Sequence, residues 1–197
     1  MDTKKISYGL GVLLGKTLAS QVTASDISFD DLNKGINDVL QNNELEMPLE
    51  EANRVAKTYL QRVSQRAVEK AQADGIRFLE ENAKRKGVVV RKSGLQYEIL
   101  KQGTGKIPKL THEVTVHYEG RLLNGKVFDS SHKRNQPATF RPNHLIRGWQ
   151  EALSIMPAGS KWRLYIPSDI GYGARGAGAD IPPHATLIFD LELISVK

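Results

Sequence analysis

A single helical stretch, opening at Met47-Pro48 and running towards Gly87, constrains this chain more than any other feature. From Pro48 to Lys86 it counts 39 residues, about 58 Å at 1.5 Å of rise per residue, and a helix of that length does not fold back on itself. Proline suits the first helical position, and Glu50 and Glu51 lie favourably beside the positive end of the helix dipole. Leu49, Ala52, Val55, Ala56, Tyr59, Leu60 and Val63 form an apolar stripe able to receive other helices. Between Gln65 and Asp74 the apolar positions shrink to Ala67, Val68, Ala71 and Ala73 among charged residues, so the middle reads as a solvated rod. Ile76, Phe78 and Leu79 then restore bulk for docking on the next domain, and Lys84, Arg85 and Lys86 suit the negative end of the dipole before Gly87. The 197 residues therefore read as a helical part, a rod and a second domain.

The part ahead of the rod holds two short amphipathic helices. Residues 7–20 carry Leu10, Leu13, Leu14 and Leu18 at three- and four-residue steps, and after the start signal of Asp26 and Ser28 the residues Phe29, Leu32, Ile36, Val39 and Leu40 repeat the pattern. So small a segment buries little alone, and the absence of cysteine removes disulfides and thiolate metal sites as staples. Oligomerisation remains. Gly11 and Gly15, one helical turn apart, permit close approach of a partner helix. The run Gly11-Val-Leu-Leu-Gly15-Lys16-Thr17 is not a phosphate loop, because three residues separate its glycines where four are needed and no strand precedes it.

Lys4 and Lys5 before the apolar Ile6–Leu14 stretch, with the small residues of Ala19-Ser20-Gln21 behind it, have the outline of a secretion signal. Ser7, Tyr8, two glycines and Lys16 interrupt that pattern, so the segment is expected to be retained and the protein to be cytoplasmic, with a periplasmic location as the alternative. No apolar run approaches the roughly 20 residues of a membrane-spanning helix.

Beyond Gly87 the hydrophobic period changes from helical to two. Leu95–Leu100, Val114-Thr-Val116-His-Tyr118, Trp162-Arg-Leu164-Tyr-Ile166 and Leu187–Leu193 read as antiparallel strands. Asn124-Gly125 signals a hairpin, and Ile146 to Ile155 supplies one short helix around Trp149, Ala152 and Leu153. The second half is thus an α+β domain.

Most reactive chemistries are excluded by what is missing. Five histidines sit on strands or loops without an HExxH pair or a clustered carboxylate set, which argues against a metal site, and no Gly-x-Ser-x-Gly elbow follows a strand. A surplus of 28 basic over 22 acidic residues would suit an acidic partner, but these residues are dispersed, so no nucleic-acid partner is expected. Aromatic residues stand out instead. Phe140 and Trp162 read as core packing, whereas Phe128 beside Asp129, Tyr172 in a glycine-flanked loop and Trp149 after Arg147-Gly148 sit where a rigid sheet presents binding groups.

Val116-His-Tyr118-Glu-Gly120, Gly125-Lys-Val-Phe128-Asp129-Ser-Ser131, Leu145-Ile146-Arg-Gly148-Trp149, Met156-Pro-Ala-Gly159-Ser-Lys and Ile181-Pro-Pro-His184-Ala-Thr-Leu-Ile-Phe189 resemble the FKBP-type peptidyl-prolyl isomerases over residues 94–197. The helical half, with Ser7-Tyr-Gly-Leu-Gly11, looks like the bacterial two-domain Mip-like and FklB-like members, in which that module dimerises. The resemblance implies a helical dimerisation module over 1–47, a connecting helix over 48–86 and a catalytic domain over 87–197. It also implies a five- or six-stranded antiparallel half-barrel wrapped round one short helix.

As implied by the resemblance, Trp149 forms the floor of an apolar pocket, with Tyr118, Phe128, Leu145, Ile146 and Phe189 as walls and Ile181 beside them. The Tyr172 hydroxyl and the Ile146 N–H hold substrate carbonyls, and Asp129 is the polar group at the edge. No cofactor is implied. The activity is acceleration of X–Pro isomerisation in folding proteins, with a dimeric clamp for unfolded chains as the alternative and macrolide immunosuppressants as inhibitors. Ala138, His144, Ala177 and Ile170 depart from residues common in the family; Ala138 leaves one wall more open, which bears on substrate preference and macrolide affinity.

Overall fold

The computed structural model describes residues 2–19 and 21–197. Helix α1 spans Thr3–Ala19 and α2 spans Phe29–Gln41. Ser28 caps α2, its hydroxyl accepting from the Asp31 N–H at 3.3 Å, and Asp30 and Asp31 occupy the first turn, where the dipole favours acids. Asn42, left-handed with φ 54°, ends it. Ser20, at the centre of the small-residue stretch of the secretion-signal outline, lies outside the described residues.

Helix α3 runs through Leu49–Asn82, 34 residues, and stops four short of Lys86. The expected final turn is replaced by tight turns in which the N–H groups of Lys84 and Arg85 donate to the carbonyls of Glu81 and Asn82. The Arg85 guanidinium explains the exit: it donates to Asn82 Oδ1 at 2.7 Å, Tyr165 Oη at 2.9 Å and Glu98 Oε1 at 2.9 Å. Tertiary partners thus claim a side chain that local reasoning assigned to the helix dipole.

The chain divides into two compact units, Met1–Ala67 and Val68–Lys197, with the boundary inside the stretch whose sequence offers little to bury. Within the first unit, Tyr59 Oη accepts from the Thr23 N–H at 3.1 Å and donates to Asp26 Oδ2 at 3.4 Å, fastening the α1–α2 connection to α3. Leu18, Val22, Ile27, Leu32 and Ile36 are half-buried, yet α1 has no fully buried residue among those described, and Leu10, Leu13, Leu14, Phe29, Val39 and Leu40 stay exposed.

In the second unit all strand pairings are antiparallel. β1 (Val88–Val90), β2 (Gln96–Lys101), β3 (Val114–Leu122), β4 (Val127–Ser130), β5 (Ala138–Phe140), β6 (Lys161–Ile166) and β7 (Leu187–Val196) form one sheet in the order β1-β2-β6-β7-β3-β4. β5 pairs with Val114–Val116 of β3, while β4 pairs with Glu119–Arg121 farther along. Seven strands stand where five or six were implied; the short β1 and β5, three residues each, carry too few residues to show a period. Gly125, at φ 83°, turns β3 into β4 as its Asn-Gly sequence indicates.

Inward residues of β3 and β7 alternate with outward ones, giving the buried row Val114, Val116 and Tyr118 opposite Leu187, Phe189, Leu191 and Leu193. Helix α4, Arg147–Leu153, lies against this face and buries Trp149, Ala152 and Leu153. It is shorter than the expected Ile146–Ile155, with Ile146 extended as its N-cap. Gly148 permits the close approach, since a Cβ there would meet Ile166 Cγ2 at 2.7 Å.

The C-terminal end of α3 belongs to this unit. Gly75 is buried where a Cβ would meet Thr186 Oγ1 at 2.5 Å, and the Phe78 ring lies 5.8 Å from that of Tyr165. Gln96 Nε2 donates to the Leu79 carbonyl and Asn82 Nδ2 to Gln96 Oε1, each at 2.8 Å. Ile76, expected to dock, is instead 53% exposed, because one residue on from Gly75 is a rotation of about 100° away from the packed side.

Candidate active site

Four strands, β3, β4, β5 and β7, bring aromatic rings together over α4. Trp149 is 4% exposed, and the rings of Tyr118, Phe189 and Phe140 meet it edge-on at 5.3, 5.2 and 6.2 Å with interplanar angles of 86°, 85° and 89°. Phe128 stands edge-to-face on Phe189 at 5.5 Å. Edge-to-face geometry sets the positive rim of one ring on the negative face of another, fixing orientations that oily packing alone would leave loose. Gly120 makes the Phe128–Phe189 pair possible: a Cβ there would sit 2.6 Å from both rings.

These rings enclose a cavity of about 560 Å³. Tyr118, Phe128, Asp129, Leu145, Ile146, Trp149, Tyr172, Ile181 and Phe189, the nine residues named from the sequence, all line it, together with Phe140, His144, Ala177, Gly178 and Asp180. Phe140 therefore has two duties, packing on the core as its sequence suggested and forming cavity wall. Trp162 is purely core, stacked on Tyr97 at 4.5 Å. Ala138 packs against the core, Ile170 is buried in it, and His144 and Ala177 stand on the cavity wall.

One polar cluster lies at the edge. Tyr118 Oη donates to Asp129 Oδ2 at 2.5 Å, Arg134 Nη1 donates to Asp129 Oδ1 at 2.5 Å, and Arg134 Nη2 donates to Tyr118 Oη at 3.0 Å. Burial pushes the Asp129 carboxyl up, but the hydrogen bonds from Arg134 and Tyr118 outweigh it and hold the group below the usual carboxylate range. Burial, followed by the hydrogen bond to Asp129, raises the Tyr118 phenol above its ordinary value. The Tyr172 phenol is raised too, first by burial and then by the nearby Asp129 charge. At neutral pH the edge therefore holds an ionised carboxylate and two protonated phenols, of which Tyr118 already donates to Asp129.

Arg134 escaped the sequence reading. It lies in the β4–β5 connection, where no periodicity assigns a direction, and only the folded loop returns it to Asp129. The Leu145-Ile146 turn is held by Gln150 Nε2 donating to the Leu145 carbonyl at 2.7 Å, and the Ile146 N–H has no hydrogen-bond partner among the described residues. No group of three His, Asp or Glu side chains suited to a metal occurs among the described residues, nor is any helix there long and apolar enough to cross a membrane.

A larger cavity, about 1000 Å³, lies in the first unit among Leu10, Gly11, Leu14, Gly15, Leu18, Phe29, Leu32 and Ile36. None of the described residues lining it is ionisable, so size does not make it the reaction site. It is an apolar groove between amphipathic helices.

Residues 105–194 match the family described as FKBP-type peptidyl-prolyl cis-trans isomerase, and residues 3–99 match the domain amino-terminal to it. The chain is 43% identical over 193 residues to the FKBP-type 22 kDa peptidyl-prolyl cis-trans isomerase of Escherichia coli K12, covering 96% of this chain and 93% of that protein. It is 41% identical over 203 residues to a Legionella longbeachae protein named outer membrane protein MIP, covering 100% and 86%. The crystal structure of FkpA from Escherichia coli superposes with a TM-score of 0.76 at 32% identity, covering 100% of this chain and 97% of that one.

Proposed function

The chain belongs to the FKBP-type peptidyl-prolyl cis-trans isomerases, and from that membership we infer that the aromatic cavity over Trp149 is where an X–Pro amide is turned. Rotation about that bond meets a barrier of about 18–20 kcal/mol, because the planar amide has partial double-bond character. Uncatalysed exchange takes tens to hundreds of seconds. At the twisted geometry resonance is lost, so the carbonyl oxygen and nitrogen are less charge-separated than in the planar state. An apolar cavity poor in water therefore favours the twisted form, and groups that bind it better than the planar one lower the barrier. Neither a nucleophile nor a cofactor takes part in that step. The observation that carries this reading is the set of edge-to-face rings closing on Trp149.

In this proposal the proline ring rests on Trp149, between Tyr118, Phe128 and Phe189, with Leu145 and Ile181 completing the walls. The unpartnered Ile146 N–H and the protonated Tyr172 hydroxyl donate to substrate carbonyls. Both Asp129 oxygens are already engaged, so this carboxylate acts through its field and by fixing Tyr118, with Arg134 as the positioning residue that keeps it ionised. Macrolide inhibitors would occupy the same cavity. Phe128→Ala and Asp129→Ala each lower kcat/KM towards a proline peptide; unchanged values for both would refute the site assignment.

The proposed division of labour is a dimerisation module over 1–47, a connecting helix over 48–86 and a catalytic domain over 87–197. Support comes from the exposed apolar groove of the first unit and from Gly11 and Gly15, where nothing among the described residues stands within 4 Å of an added Cβ. A partner's helices would cover this surface. Isomerisation is favoured over a clamp that merely holds unfolded chains, since the relatives are named for it; its substrates would be folding proteins limited by X–Pro exchange. The expected cytoplasmic location draws no support from these relatives, and the outer-membrane name of the Legionella protein favours the periplasmic alternative.

A further inference from the structure

The mouth of the cavity presents two carboxylates, each met by a basic side chain from outside the lining. Asp129 and Asp180 line it, and no lysine or arginine among the described residues does. The two carboxylates are held differently. Asp129 is clamped by Arg134, which also donates to Tyr118 Oη. Asp180 is met by Lys126, whose Nζ donates to Oδ1 at 2.8 Å between side chains that are 50% and 63% exposed.

So open an ion pair is weak, and the flexible lysine stem leaves it readily exchangeable. Lys126 follows the Asn124-Gly125 turn of the β3–β4 hairpin, whereas Asp180 precedes Ile181, which borders the same cavity. A substrate residue flanking a proline seated on Trp149 would pass the Asp180 carboxylate on leaving the cavity.

We infer that Asp180 selects substrates bearing lysine or arginine beside the proline, the substrate cation taking the place of Lys126. This rests on the cavity being the isomerase site. A glutamate in the same place gains no such partner, since it faces the Asp180 carboxylate while Lys126 and Arg134 stay committed to Asp180 and Asp129. Because the groups are exposed, the preference is modest and weakens as salt shortens the screening length.

The experiment uses the full chain and two peptide series, one varying the residue before proline among Lys, Leu and Glu, the other varying the residue after it. Each rate is divided by that variant's own rate on the Leu peptide, so partial loss of folded protein cancels. At low salt the Lys-to-Glu ratio of kcat/KM is expected to be about two- to five-fold in at least one series. Asp180→Asn brings that ratio close to one, and Lys126→Ala, which frees the carboxylate, raises it. A ratio unmoved by Asp180→Asn in both series overturns the inference. So does a matching loss on all peptides in both variants, which would make the pair a loop fastening. Failure of the site reading would look different, as Phe128→Ala would leave the Leu peptide rate intact.

Discussion

Gly120 decides how the rings above Trp149 fit, and Gly120→Ala is the sharpest probe of that packing. An added Cβ would lie 2.6 Å from Cε2 and Cζ of Phe128 and 2.6 Å from Cε1 of Phe189. Carbon atoms pack at about 3.5–4.0 Å, so both contacts must open by about 1 Å. Phe189 is 4% exposed and wedged on Trp149, so its contact is relieved only by a shift of the strand backbone, whereas Phe128 is half-buried and borders empty space and moves into the cavity. Overpacking costs about 1–3 kcal/mol, offset by the roughly 0.5–1 kcal/mol that replacing a strand glycine returns, for a net loss of about 1–2 kcal/mol. In a unit of this size that lowers Tm by about 3–6 °C. Activity should suffer more, since a displacement of about 1 Å can cost about 10²-fold in rate. Thermal melts followed by circular dichroism, alongside kcat/KM on a proline peptide, read both effects. Adding Phe128→Leu to Gly120→Ala should recover much of the lost Tm. Should Gly120→Ala keep Tm and kcat/KM at wild-type values, the ring contacts do not shape the cavity and the reasoning fails.

Asn82→Leu leaves Gln96 Oε1 without its buried donor and should destabilise by about 1–3 kcal/mol in urea unfolding, with part of the loss recovered in the Asn82→Leu/Gln96→Leu pair. Asp190 is raised by burial but lowered more by hydrogen bonds from Arg163 and Arg121, so its folded pKa lies below the unfolded one. Its stabilisation is present above the unfolded value near pH ~3.9 and is lost as pH falls through the folded value. Asp190→Asn should therefore be less stable than wild type at pH 7, with the gap closing under acid, as measured by denaturation at each pH. Light scattering should give twice the 21.9 kDa chain mass for the full protein and a single chain mass for Leu10→Asp/Leu14→Asp, whose charges enter the apolar groove. A wild-type mass of one chain at all concentrations would remove the proposed role of the helical module.

Much of the site was legible because its motifs are contiguous. Phe128 and Asp129 are neighbours, as are Ile146 and Trp149 within one turn, so recognising the segments named the residues together. Arg134 was not legible, because its value lies in returning to a carboxylate five residues back across an aperiodic loop. Phe140 was read as core and is core, but its second face borders the cavity, and burial reasoning does not distinguish the two sides of a ring.

Local periodicity and capping depend on neighbours a few residues away, which is why the amphipathic helices, the Ser28 cap, the hairpin at Gly125 and the alternating strands can be read from the sequence alone. The missing cysteines and the weakly apolar middle of α3 likewise bounded the chemistry and the organisation before any coordinate. Only the tertiary structure decided where α3 ends, because Arg85 exchanges a helical turn for Tyr165 and Glu98. It alone turned Gly75 rather than Ile76 towards Thr186, and joined Lys126 to Asp180 across 54 residues. Such pairings are set by the sum of all contacts in the fold, and no short window of sequence contains that sum.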